Sequence, residues 1–393
     1  MWQKTKNIYH LFRAYCANVW FQYPWRGMKV IGVTGTDGKT TTSSLIYHIL
    51  NCAGEKAALI TSVSAIIDKK NYNIGFHVTT PRIFALRSYV KKARNLNAKY
   101  FVLEVTSHAL DQHRVFGIKY DVGVLTNVTH EHLDYHKSYE NYVMAKAKLL
   151  KMSKIAIINK DDRSYKLISN FKFLASNLRT YGMGKDADIN PKNFSFKTQL
   201  LGDFNKHNVL AAISACKALG IKDSKIREGV RTFISPKGRT DLVYDKNFRI
   251  MIDFAHTPNS FEQILRTLRP DVKGKLIHVF GSAGLRDVEK RPVMGKISSL
   301  YADIIILTSE DPRSESVDEI TKEIGSGIER KKVRIMKISD RKEAIETAVK
   351  MAQKGDFVLL TGKAHEKSMN YGQGEVPWDE YEVVKNALQL RQE

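Results

Sequence analysis

An apolar run, Val30-Ile31-Gly32-Val33, passes directly into Gly35-Thr36-Asp37-Gly38-Lys39-Thr40-Thr41 and then into a helical pattern that reaches Leu50. No other feature constrains the fold as strongly. A buried strand that hands over to a helix through a glycine turn aims backbone N–H groups and the helix N-terminus at one point, which suits a bound anion. Lys39 can reach the β and γ phosphates of a nucleotide, and Thr40 can ligate Mg2+. The spacing departs from GxxxxGK[ST], because Val33 stands five residues before Gly38. A strand–loop–helix unit of this kind belongs to an α/β fold with a mostly parallel sheet.

Further apolar runs at Tyr100–Glu104, Val122–Thr126 and Ile155–Ile158 alternate with helical segments. They predict a P-loop-type central ATPase domain over residues 28–235. Ser64–Asp68 and Tyr72–His77, flanking Lys69-Lys70-Asn71, read as a hairpin inserted in that domain. The turn-rich Ser235-Pro236-Lys237-Gly238 marks a boundary. Beyond it, runs at Ile250–Phe254, Leu276–Phe280, Ile304–Leu307, Val333–Ile335 and Phe357–Leu360 predict a doubly wound, Rossmann-like domain over residues 236–393. A chain of 393 residues is long enough for two such cores.

Residues 1–27 stand apart. Tyr9, Leu11, Phe12, Tyr15, Val19, Trp20 and Phe21 are interleaved with Lys, Arg and His before Pro24 interrupts. The pattern predicts an amphipathic helix that either packs on the main body or touches a membrane surface or a partner through residues 9–25.

Cys16, Cys52 and Cys216 are odd in number and far apart, which argues against a disulfide framework and fits a reducing cytoplasm. No stretch approaches the length of a transmembrane span, and no signal-peptide pattern opens the chain. The formal charge of +22 is dispersed and accompanies no nucleic-acid-binding signature, so it reads as a solvated surface suited to anionic substrates.

Glu104 ends its strand at the carboxyl edge of the sheet, where a carboxylate can hold Mg2+. His132, in Thr129-His-Glu-His-Leu-Asp134, follows the next strand at the corresponding edge. Lys146 carries no such signal, because a helical lysine ordinarily faces solvent.

Beyond these residues, several segments occur in order: Thr34–Thr41, Thr79-Thr80-Pro81, Glu104–Arg114, Thr126–Thr129 leading to His132–His136, Asn205-Lys-His-Asn208, Gly238-Arg239, Asp253–Pro258, Lys290-Arg-Pro292, Asp311-Pro-Arg313 and Gly362–Glu366. Together they resemble the Mur ligase family, most of all its UDP-N-acetylmuramoyl-tripeptide synthetase branch, from about residue 28 to the C-terminus. The resemblance implies that Gly35 to Thr41 bind ATP, with Lys39 and Thr40 serving the phosphates and Mg2+. It implies that Glu104 and His132 hold further metal, two Mg2+ ions in all. Lys146 matches the family's carbamylated lysine, whose added carboxylate is a metal ligand. Asn205 and Asn208 match the adenine-side asparagines, and Arg239 and Asp253 match residues that meet the nucleotide when the domains close. Thr79, Thr80, Thr106, Gln112 and Arg114 match the positions that hold the muramoyl-peptide acceptor. Arg291, Asp311, Arg313, Gly362 and Glu366 match those that hold the incoming diamino acid.

The implied reaction is ATP-dependent amide-bond formation through an acyl phosphate, with UDP-N-acetylmuramoyl-L-alanyl-D-glutamate as acceptor. Arg313 can grip a second carboxylate bidentately, which favours meso-diaminopimelate over L-lysine. Glu310-Asp311 stands where the family usually has Asp-Asn, which adds an acid that could pair with an amine instead. The family normally carries an N-terminal domain for the uridine diphosphate, whereas here only residues 1–27 precede the ATPase domain. That leaves open a separate UDP-binding partner or an acceptor without UDP. Two other readings stay open: a ligase on another acceptor, like folylpolyglutamate or cyanophycin synthetase, and a nucleotide-binding subunit without turnover.

Overall fold

The computed structural model describes residues 2–75, 79–129, 131, 133–171, 177–329 and 332–391. The chain divides into two compact units, Met1–Ile234 and Ser235–Glu393.

In the first unit, α1 (Trp2–Trp20) precedes β1 (Lys29–Thr34), α2 (Lys39–Cys52), β2 (Ala57–Ile60), β3 (Ala65–Ile67) and β4 (Lys70–Tyr72). There follow α3 (Ile83–Asn95), β5 (Tyr100–Glu104), α4 (Ser107–Asp111), β6 (Tyr120–Leu125), α5 (Leu133–His136) and α6 (Tyr139–Lys151). The unit ends with β7 (Ser153–Asn159), α7 (Tyr165–Ile168), β8 (Leu178–Tyr181), α8 (Asp203–Ala218) and α9 (Asp223–Thr232). The sheet order is β4-β3-β2-β5-β1-β6-β7-β8. β1 lies in the middle, parallel to β5 on one side and β6 on the other, with Val33 level with both Glu104 and Val124. Its near-continuous apolar sequence follows from burial on both faces. One apolar layer packs under α2, α8 and α9, and others lie under α3 and α6. The chain leaves β1 between strands added on opposite sides, so the glycine loop opens at a switch point of the sheet.

The hairpin differs from the sequence reading in place and pairing. Asp68 and Lys69 take positive φ of 51° and 62°, forming a two-residue turn, so β4 begins at Lys70 rather than Tyr72. β3 pairs antiparallel with β2, so the hairpin extends the edge of the main sheet. Residues 76–78 lie outside the described residues.

The second unit holds β9 (Asp241–Asp245), β10 (Arg249–Asp253), α10 (Pro258–Leu268), β11 (Leu276–Phe280), α11 (Lys290–Tyr301), β12 (Ile304–Leu307) and α12 (Val317–Ser326). After these come β13 (Arg334–Lys337), α13 (Arg341–Met351), β14 (Phe357–Thr361), β15 (Ser368–Asn370), β16 (Glu375–Pro377) and α14 (Glu380–Leu390). Its sheet order is β13-β12-β11-β14-β10-β9. Only the edge strand β9 runs antiparallel to its neighbour, so five strands present their carboxyl ends together. Among the described residues no helix is long and apolar enough to cross a membrane.

Candidate active site

The loop after β1 is held by the end of β6. Thr36 N donates to Asn127 O and Asp37 N to Asn127 Oδ1, each at 2.9 Å, while Thr126 Oγ1 donates to Asp37 O at 2.6 Å. Gly35 is required by this contact, because a Cβ there would lie 1.8 Å from Thr126 Oγ1. Gly38 caps α2 in the left-handed region (φ 80°) without a side-chain cap, which leaves the helix N-terminus to serve an anion. A Cβ on Gly38 would meet Asn208 Oδ1 at 2.1 Å. Asn208 in turn donates to Asn205 Oδ1 at 2.9 Å, so the asparagine pair of α8 sits directly against the loop. Lys39 Nζ lies on its own loop, donating to Thr36 O at 2.7 Å. Thr41 is buried in the first turn of α2.

Glu104 connects this loop to a second cluster. Its Oε2 accepts from Thr40 Oγ1 and from Ser62 N, both at 3.0 Å, and Thr40 Oγ1 lies 3.0 Å from Ser62 Oγ. Its backbone carbonyl accepts from Thr80 Oγ1 at 3.0 Å. Thr80 Oγ1 also accepts from Thr106 N, and Thr106 Oγ1 caps α4. Arg114 donates to Gln112 Oε1 at 2.7 and 3.0 Å and to Thr80 O at 3.2 Å. Thr80, Thr106, Gln112 and Arg114 therefore form one constellation beside the phosphate loop, with half-buried Thr79 next to it in sequence. The oxygens of Thr40, Ser62 and Glu104 are hard donors of the kind Mg2+ takes. Among the described residues no three His, Cys, Asp or Glu side chains gather as a metal site. His132 lies outside the described residues.

Lys146 is not the solvent-facing lysine that its helix position suggests. It is buried, its Nζ donates to Gly35 O at 2.6 Å, and the ammonium sits 4.3 Å from the centre of the Tyr142 ring. Burial, reinforced by the Lys39 charge, holds this amine well below the ordinary lysine range, against the pull of Glu131, Asp37 and Asp162.

In the second unit, Asp253 ends β10, with its oxygens bound by Thr240 N at 2.6 Å and Ala255 N at 2.7 Å. Burial raises its pKa despite these donors. Arg239 lies over the Phe254 ring at 4.5 Å. At the end of β12 the chain turns through Asp311 and Arg313, both at positive φ (44° and 54°). Lys363 Nζ contacts both Asp311 oxygens at 2.8 and 2.9 Å and Glu366 Oε2 at 2.6 Å. Arg313 NH1 docks on Gly284 O at 2.5 Å. Gly362 leaves no room for a side chain, since a Cβ would lie 2.2 Å from Glu310 Oε2. Arg291 is enclosed differently: its terminal nitrogens pair with Glu315 at 2.8 Å and Glu323 at 2.7 Å. Glu315 also accepts from Leu285 N, so Arg291 braces the loop on which Arg313 docks.

Several participants carry no role in the sequence reading. Ser62 has the same signal as Glu104, a polar residue just past a strand at the carboxyl edge. Asn127 and Thr126 follow β6 in the same way. Glu310 stands out through its environment: it is buried, its Oε2 has no hydrogen-bond partner among the described residues, and burial raises its pKa to about 7.

Comparison with known proteins agrees with this geometry. The Mur ligase middle domain matches residues 33–216, and the Mur ligase glutamate ligase domain matches residues 238–364. The chain is 40% identical over 390 residues to the UDP-N-acetylmuramoyl-L-alanyl-D-glutamate–2,6-diaminopimelate ligase of Aquifex aeolicus (strain VF5), covering 95% of this chain and 80% of that one. It is 34% identical to the UDP-N-acetylmuramyl-tripeptide synthetase of Roseiflexus sp. (strain RS-1), covering 95% of this chain and 81% of the relative. A solved UDP-N-acetylmuramoyl-L-alanyl-D-glutamate–2,6-diaminopimelate ligase superposes with a TM-score of 0.63 at 29% identity, over 96% of this chain and 82% of that one. A folylpolyglutamate synthase of Mycobacterium tuberculosis superposes with a TM-score of 0.72 at 17% identity, over 90% of this chain and 92% of that one, which shows a shared fold. With a nucleotide loop, a carboxylate beside it and two matching domains, the chain belongs to the Mur ligase family of ATP-dependent, ADP-forming amide-bond ligases.

Proposed function

We propose that this ligase adds meso-diaminopimelate to UDP-N-acetylmuramoyl-L-alanyl-D-glutamate, in the cytoplasm, during peptidoglycan precursor synthesis. The observation that carries the reading is the double engagement of Glu104. Its side chain joins Thr40 of the phosphate loop, and its carbonyl joins Thr80 of the Thr80–Thr106–Gln112–Arg114 constellation. One residue thus ties the phosphate end to a polar cluster carrying the Arg114 guanidinium, of the type a carboxylate-bearing acceptor needs.

In the first step the acceptor's terminal carboxylate oxygen attacks the γ-phosphorus of ATP, an O–P bond forms, the bridging P–O bond breaks and ADP leaves. Lys39 and the α2 N-terminus bind the phosphates, and Arg114 orients the acceptor carboxylate. Thr40 and Glu104 would hold Mg2+, which would supply charge neutralisation for the transferring phosphoryl group. In the second step the amine attacks the acyl carbon, the C–N bond forms, and the C–O bond to phosphate breaks, releasing phosphate and the ammonium proton. Asn208, directly against Gly38, and its partner Asn205 are assigned to the adenine. Arg239 and Asp253 are assigned to the nucleotide from the second unit.

Lys146 is the proposed carbamylation site, serving a second Mg2+ together with His132. Its depressed amine basicity favours the neutral form that adds CO2.

Diaminopimelate is favoured over lysine because the acid that departs from the family pattern is neutralised within the protein. Asp311 is held by Lys363 and by Asn370 N at 2.9 Å, so it is engaged rather than offered to an incoming amine. Arg313 then serves the distal carboxylate, with Gly362 and Glu366 lining the amine side and Arg291 acting as a positioning residue.

Labelled UDP-muramoyl-dipeptide should bind the purified protein saturably in the presence of a non-hydrolysable ATP analogue. Arg114→Ala should weaken that binding at least about tenfold. Absence of saturable binding would refute the UDP-linked acceptor and leave open a separate UDP-binding partner.

A further inference from the structure

The helix α1 is amphipathic in the wrong sense for a surface helix of a globular protein. Its packed side is small and polar: Ala14 and Ala17 meet Ile83 of α3, and buried Asn18 accepts from Arg87 Nε at 2.9 Å and donates to Phe116 O at 3.1 Å. Its outer side carries Ile8, Tyr9, Phe12, Tyr15, Val19 and Trp20, all more than half exposed, with Trp20 at 76% and Ile8 at 68%. At about 100° per residue these six positions fall within an arc of roughly 140°. An apolar stripe of that width normally faces a core.

Charge is distributed around the stripe as unusually as the apolar residues. Residues 1–36 contain no Asp or Glu, and neither do residues 69–103, which include α3, the helix packed against α1. Arg13 lies 5.5 Å from the Tyr9 ring and 5.8 Å from that of Phe84, which is itself 40% exposed. Arg82, just before α3, and Lys91, Lys92 and Arg94 on it are exposed. One acid that reaches α1, Asp111, accepts from Asn7 at 3.3 Å and is paired with Lys148 at 2.8 Å.

We propose that the outer face of α1, flanked by the basic face of α3, docks this protein on an anionic membrane surface. Trp20 and the tyrosines take the headgroup level, Ile8, Phe12 and Val19 enter the acyl boundary, and the lysines and arginines meet lipid phosphates. The helix lies on the bilayer rather than spanning it. A symmetric contact with a second copy would bring two acid-free basic faces together. A nucleic acid offers no counterpart for the aliphatic Ile8 and Val19.

The test is co-sedimentation of the full chain with vesicles of mixed phosphatidylglycerol and phosphatidylcholine, against vesicles of phosphatidylcholine alone. Binding should be at least about tenfold stronger on the anionic vesicles and should weaken with salt. Phe12→Ser with Trp20→Ser should abolish it while phosphate release is kept. Lys91→Glu with Lys92→Glu, exposed on α3 and outside α1, should remove the anionic preference even if the α1 variant misfolds. Equal affinity for both vesicle types would overturn the proposal. So would absence of binding, and so would concentration-dependent dimerisation that the α1 variant abolishes without any vesicle binding.

Discussion

Lys146 Nζ donates a 2.6 Å hydrogen bond to the carbonyl oxygen of Gly35, the residue that opens the phosphate loop 111 positions earlier. A buried amine is thus placed on the backbone of the loop proposed to bind the transferred phosphate. Lys146→Ala should lower phosphate release at least about a hundredfold while the far-UV spectrum stays native. Partial recovery with short carboxylic acids would mark the missing group as a carboxylate, which is the expectation if Lys146 is carbamylated. An unimpaired variant would remove Lys146 from the site.

Thr40 and Ser62 share Glu104 Oε2, so Glu104→Gln should change metal use before it changes the fold. The amide keeps shape and volume but loses the charge that a hard cation needs. The Mg2+ concentration for half-maximal phosphate release should rise at least about tenfold, with little change in melting temperature. Thr40→Ser should retain most activity because it keeps the oxygen, whereas Thr40→Ala should not.

Glu310 gives a pH signature. Burial raises its carboxyl from the ordinary 4.5 to about 7, and among the described residues Oε2 has no hydrogen-bond partner. The folded state therefore holds this proton more tightly than the unfolded chain does. The associated stability is fully present below the unfolded value and is lost as pH rises toward the folded value. Glu310→Gln should match the parent most closely at and below pH 4.5 and be more stable above pH 7, by about 3 kcal/mol. Calorimetry at both pH values checks it, and a gap that does not widen with pH would contradict the assignment.

Arg313 docks on Gly284 O, and Asp311 is taken by Lys363. Arg313→Ala should raise the KM for meso-diaminopimelate at least about tenfold and leave any weak use of L-lysine nearly unchanged, because only the former carries a distal carboxylate. Steady-state kinetics with both amino acids decides this, and an equal loss with each would give Arg313 a purely structural role.

The strands that position the site were legible where burial on both faces enforces an apolar run, as in β1, β5, β11, β12 and β14. β8 and β9 were not, being short edge strands with mixed polarity. Glu104 could be read from its place at a strand end, and Ser62 carries the same signal beyond a strand that is only Ala57–Ile60. Lys146 could be found only through family resemblance, since nothing local tells a buried helical lysine from a solvated one. The neutralisation of Asp311 was invisible because Lys363 lies 52 residues away, at the end of another strand.

The central claim is tested most directly by phosphate release with UDP-N-acetylmuramoyl-L-alanyl-D-glutamate and ATP, measured with meso-diaminopimelate, L-lysine or L-ornithine in turn. The account predicts release that depends on meso-diaminopimelate and forms the corresponding tripeptide. Release with lysine alone, or with none of the three, would contradict it.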